Sequence, residues 1–421
     1  MDTIKRIVAY LPTVGILVAI LALPFPYGAL QRYGLIFGAA GFLTDYIWNR
    51  RWESWHWTSA KWVYIAFLAF YACLPLRELF SPEYNWLFHT KLETYMPFLV
   101  FGVMGIMGFN ETQRPELVTG SMALSCVYMG VVLVHAMWGV PYTGFAEWQE
   151  QLKLIRDTQL NTHMVVNVYC NMALVFIGWV LLVSSCKKWY KWVLGIVAVG
   201  IIGGLLISEG RIGQMTVFVL LPLFVAAWFH KCGKLKWIVP MFATIALAAG
   251  LFLHVAPRFH HPSLYDNARP YIWRVAWSMV EEKPIFGWGV STARDEFVRR
   301  GLEDSNFQIH YVEEFKYVSN EAHGVVKYQI MHPHNAFLET WMEMGVTGLL
   351  LFVLCIILPI YLLPIGHNRW YLAACLFVFC MQAMFETMGA CLFPIWIPIL
   401  VYIWQNPLRN DRSLFHLSDQ S

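Results

Sequence analysis

Residues 188–231 read KWYKWVLGIVAVGIIGGLLISEGRIGQMTVFVLLPLFVAAWFHK and contain two apolar runs joined by a short polar link. Each run has about 20 mostly apolar residues, the length that an α-helix needs to cross the hydrocarbon core of a bilayer. An α-helix satisfies its backbone hydrogen bonds internally, as a segment inside a bilayer must. This stretch therefore predicts a pair of transmembrane helices.

The same pattern recurs along the chain. Of the 421 residues, 58% are hydrophobic and 14% are charged, whereas a soluble domain is about 25% charged. We expect an all-α, polytopic membrane protein of about twelve transmembrane helices. The predicted spans lie near residues 8–25, 30–48, 61–77, 94–110, 116–138, 163–185, 189–208, 212–229, 237–255, 346–364, 370–388 and 391–406.

One long polar segment, residues 256–333, interrupts this series. It separates an N-terminal bundle of about nine spans, residues 1–255, from a C-terminal part of about three spans and a tail, residues 334–421. No low-complexity linker divides the chain. We therefore expect one membrane domain with a large inserted loop.

The Lys and Arg residues of the short loops predict the orientation, because cytoplasmic loops carry an excess of both. With the N-terminus in the cytoplasm, the inner side collects fifteen of them and the short outer loops six. Both termini are then cytoplasmic, and residues 256–333 face the periplasm. The inner residues are Lys5, Arg6, Arg50, Arg51, Lys61, Arg114, Lys187, Lys188, Lys191, Lys231, Lys234, Lys236, Arg369, Arg409 and Arg412; the outer ones are Arg32, Arg77, Lys91, Lys153, Arg156 and Arg211.

Several other classes of protein fit this sequence less well. A net charge of +3 is too small to indicate nucleic-acid binding. No pair of matching halves is visible, although many transporters are built from repeats. A flippase should carry charged residues through its spans, whereas these spans are mostly uncharged. The nine cysteines show no CxxC or Cys/His ligand spacing, so we expect no disulfide framework and no metal site. We also expect no cofactor.

The first candidate site is the link at residues 208–213. Ionisable side chains at a membrane margin are costly and tend to serve a site or a partner. Glu209 and Arg211 could instead cap and pair across a tight turn. The residues alone leave both interpretations open.

The second candidate site lies in the long loop. Arg269, Trp273 and Trp277 are spaced i, i+4, i+8, so they share one face of a helix. Pro284 should end that helix, and Gly-Trp-Gly at 287–289 is typical of a turn. The aromatic face could simply pack the loop onto the bundle. An Arg on it would also suit a diphosphate headgroup, because a guanidinium makes bidentate contacts with phosphate oxygens.

The third candidate site is at the end of the loop, where His334 and Asn335 open an amphipathic helix that runs into a span. A neutral imidazole is the usual proton acceptor near pH 7. Asn335 could simply begin the helix. His332 and His334 are spaced i, i+2, but no carboxylate or Cys at ligand spacing completes a metal site.

These three sites together resemble the O-antigen ligase and polymerase superfamily of bacterial membrane glycosyltransferases. Their order, the topology and the long outer loop agree with that family, and the similarity covers roughly residues 200–365. Gly210 departs from the Ser or Thr of many relatives. The signatures are Arg211 in a short outer link; Arg269 and Trp273 followed by Pro284-Ile285-Phe286-Gly287-Trp288-Gly289; and His334-Asn335 with Leu338, Glu343, Gly345 and Gly348.

The resemblance implies transfer of a glycan from an undecaprenyl-diphosphate carrier to an acceptor hydroxyl on the periplasmic face, without nucleotide or metal. Arg211 and Arg269 would bind the diphosphate, and His334 would orient or deprotonate the hydroxyl. Asn335 and Glu343 would support the start and the packing of the helix.

The resemblance leaves some roles open. Trp273, Asn335 and Glu343 would join the substrate-binding residues. Arg274, or Arg258 earlier in the loop, could share the anion-binding role. His332 competes with His334 as the base, and we prefer His334 because it directly precedes the Asn.

Our main interpretation is ligation of O-antigen to lipid A core in the inner membrane of a Gram-negative bacterium, a step of lipopolysaccharide assembly. The alternative is a polymerase that joins lipid-linked repeat units, because polymerases share these signatures. A lipid-linked glycan flippase or transporter is a third interpretation. The implied partners are an undecaprenyl-diphosphate-linked donor, lipid A core or another glycan acceptor, and the bilayer.

The charge bias predicts the result of cysteine labelling in cells. A thiol reagent that cannot cross the inner membrane should modify a Cys introduced at Ser305 and leave a Cys introduced at Ser413 unmodified. Labelling at Ser413 alone would invert the topology and move the candidate sites to the cytoplasm.

Overall fold

The computed structural model describes residues 2–23, 28–80, 86–109, 115–138, 141, 147, 163–183, 187–207, 210–255, 264–303, 316–320, 325–328, 332–386 and 393–405. Almost all of these residues are helical. The α-helices are α1 Asp2–Ala22, α2 Gly28–Trp48, α3 Lys61–Glu78, α4 Trp86–Met107, α5 Pro115–Trp138, α6 His163–Val183, α7 Lys188–Ile207, α8 Arg211–Lys231, α9 Ile238–Val255, α10 Leu264–Glu282, α11 Val290–Glu303, α12 Ala336–Leu362, α13 Arg369–Ala383 and α14 Phe393–Gln405.

The predicted all-helical class is confirmed, with one small addition inside the long loop. Strands β1, Lys316–Asn320, and β2, Val325–Tyr328, pair antiparallel. Three 3₁₀ segments, Arg51–Ser54, Leu235–Trp237 and Gly366–Asn368, lie between helices.

Six of the described helical segments are long and apolar enough to cross a membrane, and three shorter ones are apolar. A membrane protein is therefore confirmed, whereas the count of twelve spans stays a prediction. The six segments are Leu117–His135, Val165–Val183, Lys188–Ile207, Arg211–Lys231, Leu235–Val255 and Ala336–Leu362; the shorter ones are Ile7–Ala22, Arg369–Ala383 and Pro394–Trp404.

Helices α1 and α2 approach each other through small residues. A Cβ atom on Gly15 would lie 2.3 Å from the backbone nitrogen of Gly38, and one on Gly34 would lie 2.7 Å from that of Ala19. Without side chains in between, the two backbones can come into van der Waals contact, which is a common source of helix association in lipid.

Helix α6 is the central helix of the described bundle. It packs against α5, α7, α8 and α13. In the apolar stretch Val165–Val183, about 78% of the residues are buried. Helix α9 lies at the other extreme, with no buried residue. Its apolar side chains therefore face outward, as expected of a helix on the lipid side of a bundle.

Helices α10 and α11 form a small hydrophobic cluster of their own on the first turns of α12. The partner side chain from α12 is Met342, which is 2% exposed. The cluster contains Ile272, Val275, Ala276, Met279, Val280, Trp288, Ala293, Phe297 and Met342. Helices α10 and α11 of the long loop are thus packed onto the bundle.

Candidate active site

Helix α12 is interrupted at Gly345, where φ is +68°. The carbonyls of Met342 and Glu343 and the N–H of Val346 lie beside this break, where regular i→i−4 pairing fails. The segment Pro284–Gly289 satisfies them. Trp288 N–H donates to Met342 O at 2.9 Å, Gly289 N–H to Glu343 O at 2.9 Å, and Val346 N–H to Pro284 O at 2.8 Å.

Two glycines allow this docking. A Cβ on Gly345 would lie 2.0 Å from the carbonyl oxygen of Ile285, and one on Gly287 would lie 2.5 Å from the backbone nitrogen of Gly345. Gly287 also has a positive φ, +67°, a conformation that side chains with a Cβ disfavour. The Pro284–Gly289 and Glu343–Gly345 signatures are therefore two halves of one backbone contact.

The end of α3 holds the same turn from the other side. Arg77 Nη2 donates to Gly287 O at 2.7 Å. The buried Glu78 carboxylate accepts from the N–H groups of Val290, at 3.0 Å, and Ser291, at 3.2 Å. These N–H groups form the N-terminus of α11, where a negative charge is stabilised.

Lys91 of α4 binds two carboxylates of α12. Its Nζ lies 2.8 Å from Glu339 and 2.9 Å from Glu343, and all three side chains are largely buried. Glu339 and Glu343 are spaced i, i+4 and so share one helix face. Glu343, predicted as a substrate-binding residue, is thus bound to Lys91 and positions the start of α12.

The third signature begins this helix as the sequence predicts. The Asn335 side-chain oxygen accepts from the N–H groups of Phe337 and Leu338, both at 3.0 Å, so Asn335 is the N-cap. His334 precedes it with a φ of +47°. This left-handed conformation is uncommon for a non-glycine residue and costs on the order of 1–3 kcal/mol, so such residues cluster at functional sites.

A carboxylate that the sequence reasoning missed lies beside His334. Nδ1 of His334 is 3.4 Å from a carboxylate oxygen of Glu386, which follows α13 and is 7% exposed. A carboxylate at Nδ1 favours the imidazole tautomer in which Nε2 accepts a proton.

Arg269 lies next to Phe385 and Glu386. Its guanidinium carbon is 5.3 Å from the centre of the Phe385 ring. Burial lowers the pKa of Arg269, and the neighbouring charge of Glu386 acts in the opposite direction. A half-buried guanidinium is stabilised by anions within reach, so this position suits a negatively charged ligand.

Trp273 connects the second signature with the third. Its indole N–H donates to Pro333 O at 2.9 Å, so one turn after Arg269 the helix is bound to the segment that carries His334. Arg274 is exposed and lies over the ring of Tyr271 at 5.2 Å. Of the two arginines, Arg269 is the one that meets the Phe385–Glu386 pair.

The two His residues differ in their environment. Their rings are 4.4 Å apart. Burial lowers the pKa of His332 to about 3, and the neighbouring His334 contributes in the same direction. A base with such a pKa is a weak proton acceptor near pH 7, which favours His334 as the base.

Arg211, the first signature, opens α8 at some distance along the chain. Helices α8 and α13 pack together, and Tyr371 of α13 stacks on Phe224 of α8. The end of α8 and the start of α13 both meet the end of α6, because Lys231 donates to Leu182 O and Asn368 accepts from the Trp179 indole N–H, so α8 and α13 run antiparallel. Arg211 and Phe385 are 13 and 14 residues from this contact. At about 1.5 Å per residue each is about 20 Å away, so both lie at the same end of the bundle.

The start of α8 contacts α6 closely. A Cβ on Gly210 would lie 2.0 Å from Nδ2 of Asn167, so Asn167 occupies the space that a Ser or Thr side chain would need. Two candidates, Glu209 and Arg258, lie outside the described residues.

A family model described as O-antigen ligase matches residues 168–353. The resemblance to the O-antigen ligase and polymerase superfamily is confirmed. The family indicates O-antigen ligase or polymerase activity and lipid-linked glycan substrates in a membrane. No curated protein matches the chain. All three signatures lie within the matched residues, whereas Arg77, Glu78, Lys91 and Glu386 lie outside them.

Among the residues that the structure describes, no three His, Cys, Asp or Glu side chains form a group that could hold a metal ion. Metal independence itself stays a prediction and is tested with the His variants below.

The docked break predicts that Gly345→Ala destabilises the protein. The new Cβ would meet the Ile285 carbonyl and force a positive φ on alanine, a strain of about 1–3 kcal/mol. The midpoint of thermal unfolding in detergent should fall.

Gly203→Ala in α7 is the matched control, because a Cβ there has no atom within 4 Å. It should be neutral or stabilising by about 0.5–1 kcal/mol. Equal midpoints for the two variants would contradict the role of the break.

Proposed function

We propose that this protein transfers a glycan from undecaprenyl diphosphate to an acceptor hydroxyl at the periplasmic face of the inner membrane, ligating O-antigen to lipid A core. The observation that carries the proposal is that Arg269 and His334, from two signatures of the matched family, meet the same residue pair, Phe385–Glu386. An anion-binding group and a base are thus adjacent.

The proposed reaction needs these two groups and a positioned acceptor. The acceptor oxygen attacks the anomeric carbon, the bond from that carbon to the diphosphate oxygen breaks, and the diphosphate leaves with the bonding electrons. Arg269 and Arg211 stabilise the charge that grows on the leaving group. Nε2 of His334 accepts the hydroxyl proton, and Glu386 orients the imidazole.

The remaining predicted residues have positioning roles in this proposal. Asn335 caps the helix that carries His334, Glu343 holds that helix on Lys91, and Trp273 binds the Pro333 carbonyl. Each fixes a backbone segment beside the reacting groups. Displacement of a reacting group by about 1 Å can cost about 10²-fold in rate.

Substitution tests the anion-binding roles of Arg269 and Arg211. Arg269→Ala and Arg211→Ala should each abolish glycan transfer while the protein still inserts into the membrane. Lys should rescue only in part, because an ammonium keeps the charge but loses the planar fork. The measurement is transfer of lipid-linked glycan to lipid A core by membranes that contain equal amounts of each variant.

Arg274→Ala is the matched control, because Arg274 lies five residues further along the same helix and is exposed. It should retain most of the activity. Wild-type transfer by Arg269→Ala together with loss in Arg274→Ala would move the anion-binding role to Arg274.

The base should be identified by the His variants of the purified enzyme. His334→Ala should bind the lipid-linked donor but transfer about 10²–10⁴-fold more slowly, because it loses a general base. Glu386→Gln should be impaired less, because the imidazole remains but loses the charge at Nδ1. Rates and donor affinity are measured separately.

His332→Ala is the control and should be much milder, because a His with a pKa of about 3 is a poor base at neutral pH. Chelator should leave the wild type unchanged. A dead His332→Ala enzyme, or inhibition by chelator, would show that the base or the metal independence is wrongly assigned.

The same assay distinguishes ligase from polymerase. Supplied with lipid A core and a lipid-linked donor, a ligase elongates the core. A polymerase instead lengthens the lipid-linked glycan and does so even when lipid A core is absent.

A further inference from the structure

The turn at residues 284–289 presents two large apolar side chains to the outside. Ile285 is 54% exposed and Phe286 is 67% exposed. Two exposed apolar side chains need no explanation by themselves, but a contiguous exposed apolar patch usually marks an interaction surface.

The turn lies between two helices whose exposed residues are also apolar. On one side Thr347 Oγ1 donates to Ile285 O at 3.3 Å, and Leu350, one turn further along α12, is exposed. On the other side Arg77 donates to Gly287 O, and Leu79 and Phe80 after it are 77% and 79% exposed. The turn thus continues the outward apolar surface of α3 and α12.

The outward surface of α12 is the face of a membrane-spanning helix. Exposed apolar residues recur along it at helical spacing, at Leu350, Leu354, Ile357 and Tyr361. A span needs about 20 residues, and 20 residues counted back from Leu362 reach Glu343. The turn is docked at residues 342–346, which places it at the edge of the hydrocarbon core.

The direction of α10 agrees with this depth. Trp273 is bonded to Pro333, the ring of Trp277 lies 5.4 Å from that of Trp341, and Pro284 is bonded to Val346. Helix α10 therefore runs beside the start of α12 in the same direction, toward the membrane. The Trp277–Trp341 pair lies further from the membrane centre than the turn, at the level of the membrane interface, where Trp is favoured.

Charged side chains near this turn have partners within the protein. Nζ of Lys283 lies 3.6 Å from the centre of the buried Trp288 ring, and Arg77 is bonded to Gly287. The exposed carboxylates of Glu281 and Glu282 bind the Trp277 indole N–H and Arg300. Insertion of Ile285 and Phe286 into lipid therefore leaves these charged groups with the partners that they have in the protein.

We propose that the Ile285–Phe286 turn inserts into the bilayer and anchors the end of α10 in it. The occupant of this apolar surface is lipid. Insertion determines the depth of α10, the helix that carries Arg269, relative to substrates that are themselves attached to lipids.

Spin-label accessibility in lipid nanodiscs tests the insertion. Labels are placed on the full-length chain at Phe286→Cys, at Leu350→Cys as the lipid-facing reference, and at Glu303→Cys, an exposed position at the end of α11, as the water-facing reference. Three cysteines are replaced by Ser: the exposed Cys232, and Cys186 and Cys391, which lie outside the described residues. The other cysteines are buried or half-buried. Collision with oxygen, which concentrates in hydrocarbon, is compared with collision with a water-soluble nickel chelate.

At residue 286 oxygen should outcompete the chelate, as at 350, and the order should reverse at 303. If the chelate reaches 286 as readily as 303, the turn faces water and the proposal is wrong. If neither reagent reaches 286 while oxygen reaches 350, a protein surface covers the turn, which also overturns the proposal. Should Phe286→Cys fail to fold, Ile285→Cys gives the same comparison.

Discussion

The break in α12 at Gly345 is the constraint on which the arrangement of the outer end depends. A helix interrupted near a membrane leaves backbone groups without partners, and such groups are costly away from water. The turn of residues 284–289 supplies these partners through its own backbone. Because backbone meets backbone, neither Gly287 nor Gly345 can carry a side chain. The direction of α10, and with it the position of Arg269, follows from this contact.

Buried charges connect the N-terminal helices to this docked unit. Lys91 lies between Glu339 and Glu343, and Glu78 binds the N-terminus of α11. A buried charge without its partner costs several kcal/mol, about 3–5 when a pair is broken. These pairs therefore favour one register between α3, α4 and α12. The helices before residue 168 lie outside the matched family region, and through these charges they hold the segments that carry the candidate site.

The charged and titratable residues of the candidate site lie in different environments, which suits them to different roles. Arg269 is half-buried beside Phe385 and Glu386, and His334 faces the same carboxylate. His332 has a pKa lowered to about 3 and is uncharged near neutral pH. One carboxylate thus adjoins both a cation and a base. An incoming anion would meet the guanidinium, while the imidazole stays oriented by its Nδ1 contact.

Hydropathy alone predicted where the apolar helices lie, because burying an unpaired peptide group in lipid is so costly that any long apolar run must be helical. The two polar helices of the long loop, α10 and α11, are not apolar runs of this kind. Local spacing also determined the cap at Asn335, the end of α10 before Pro284 and the turn at Gly287 and Gly289, since these depend on backbone preferences of neighbouring residues. Local spacing could not predict the roles of four charged residues, because a single charged residue at a helix end forms no sequence pattern that identifies its partner. These residues are Glu386, Lys91, Arg77 and Glu78. Only the packing of helices distant in sequence decided that Glu386 faces His334 and Arg269, and that Lys91 binds two carboxylates of α12.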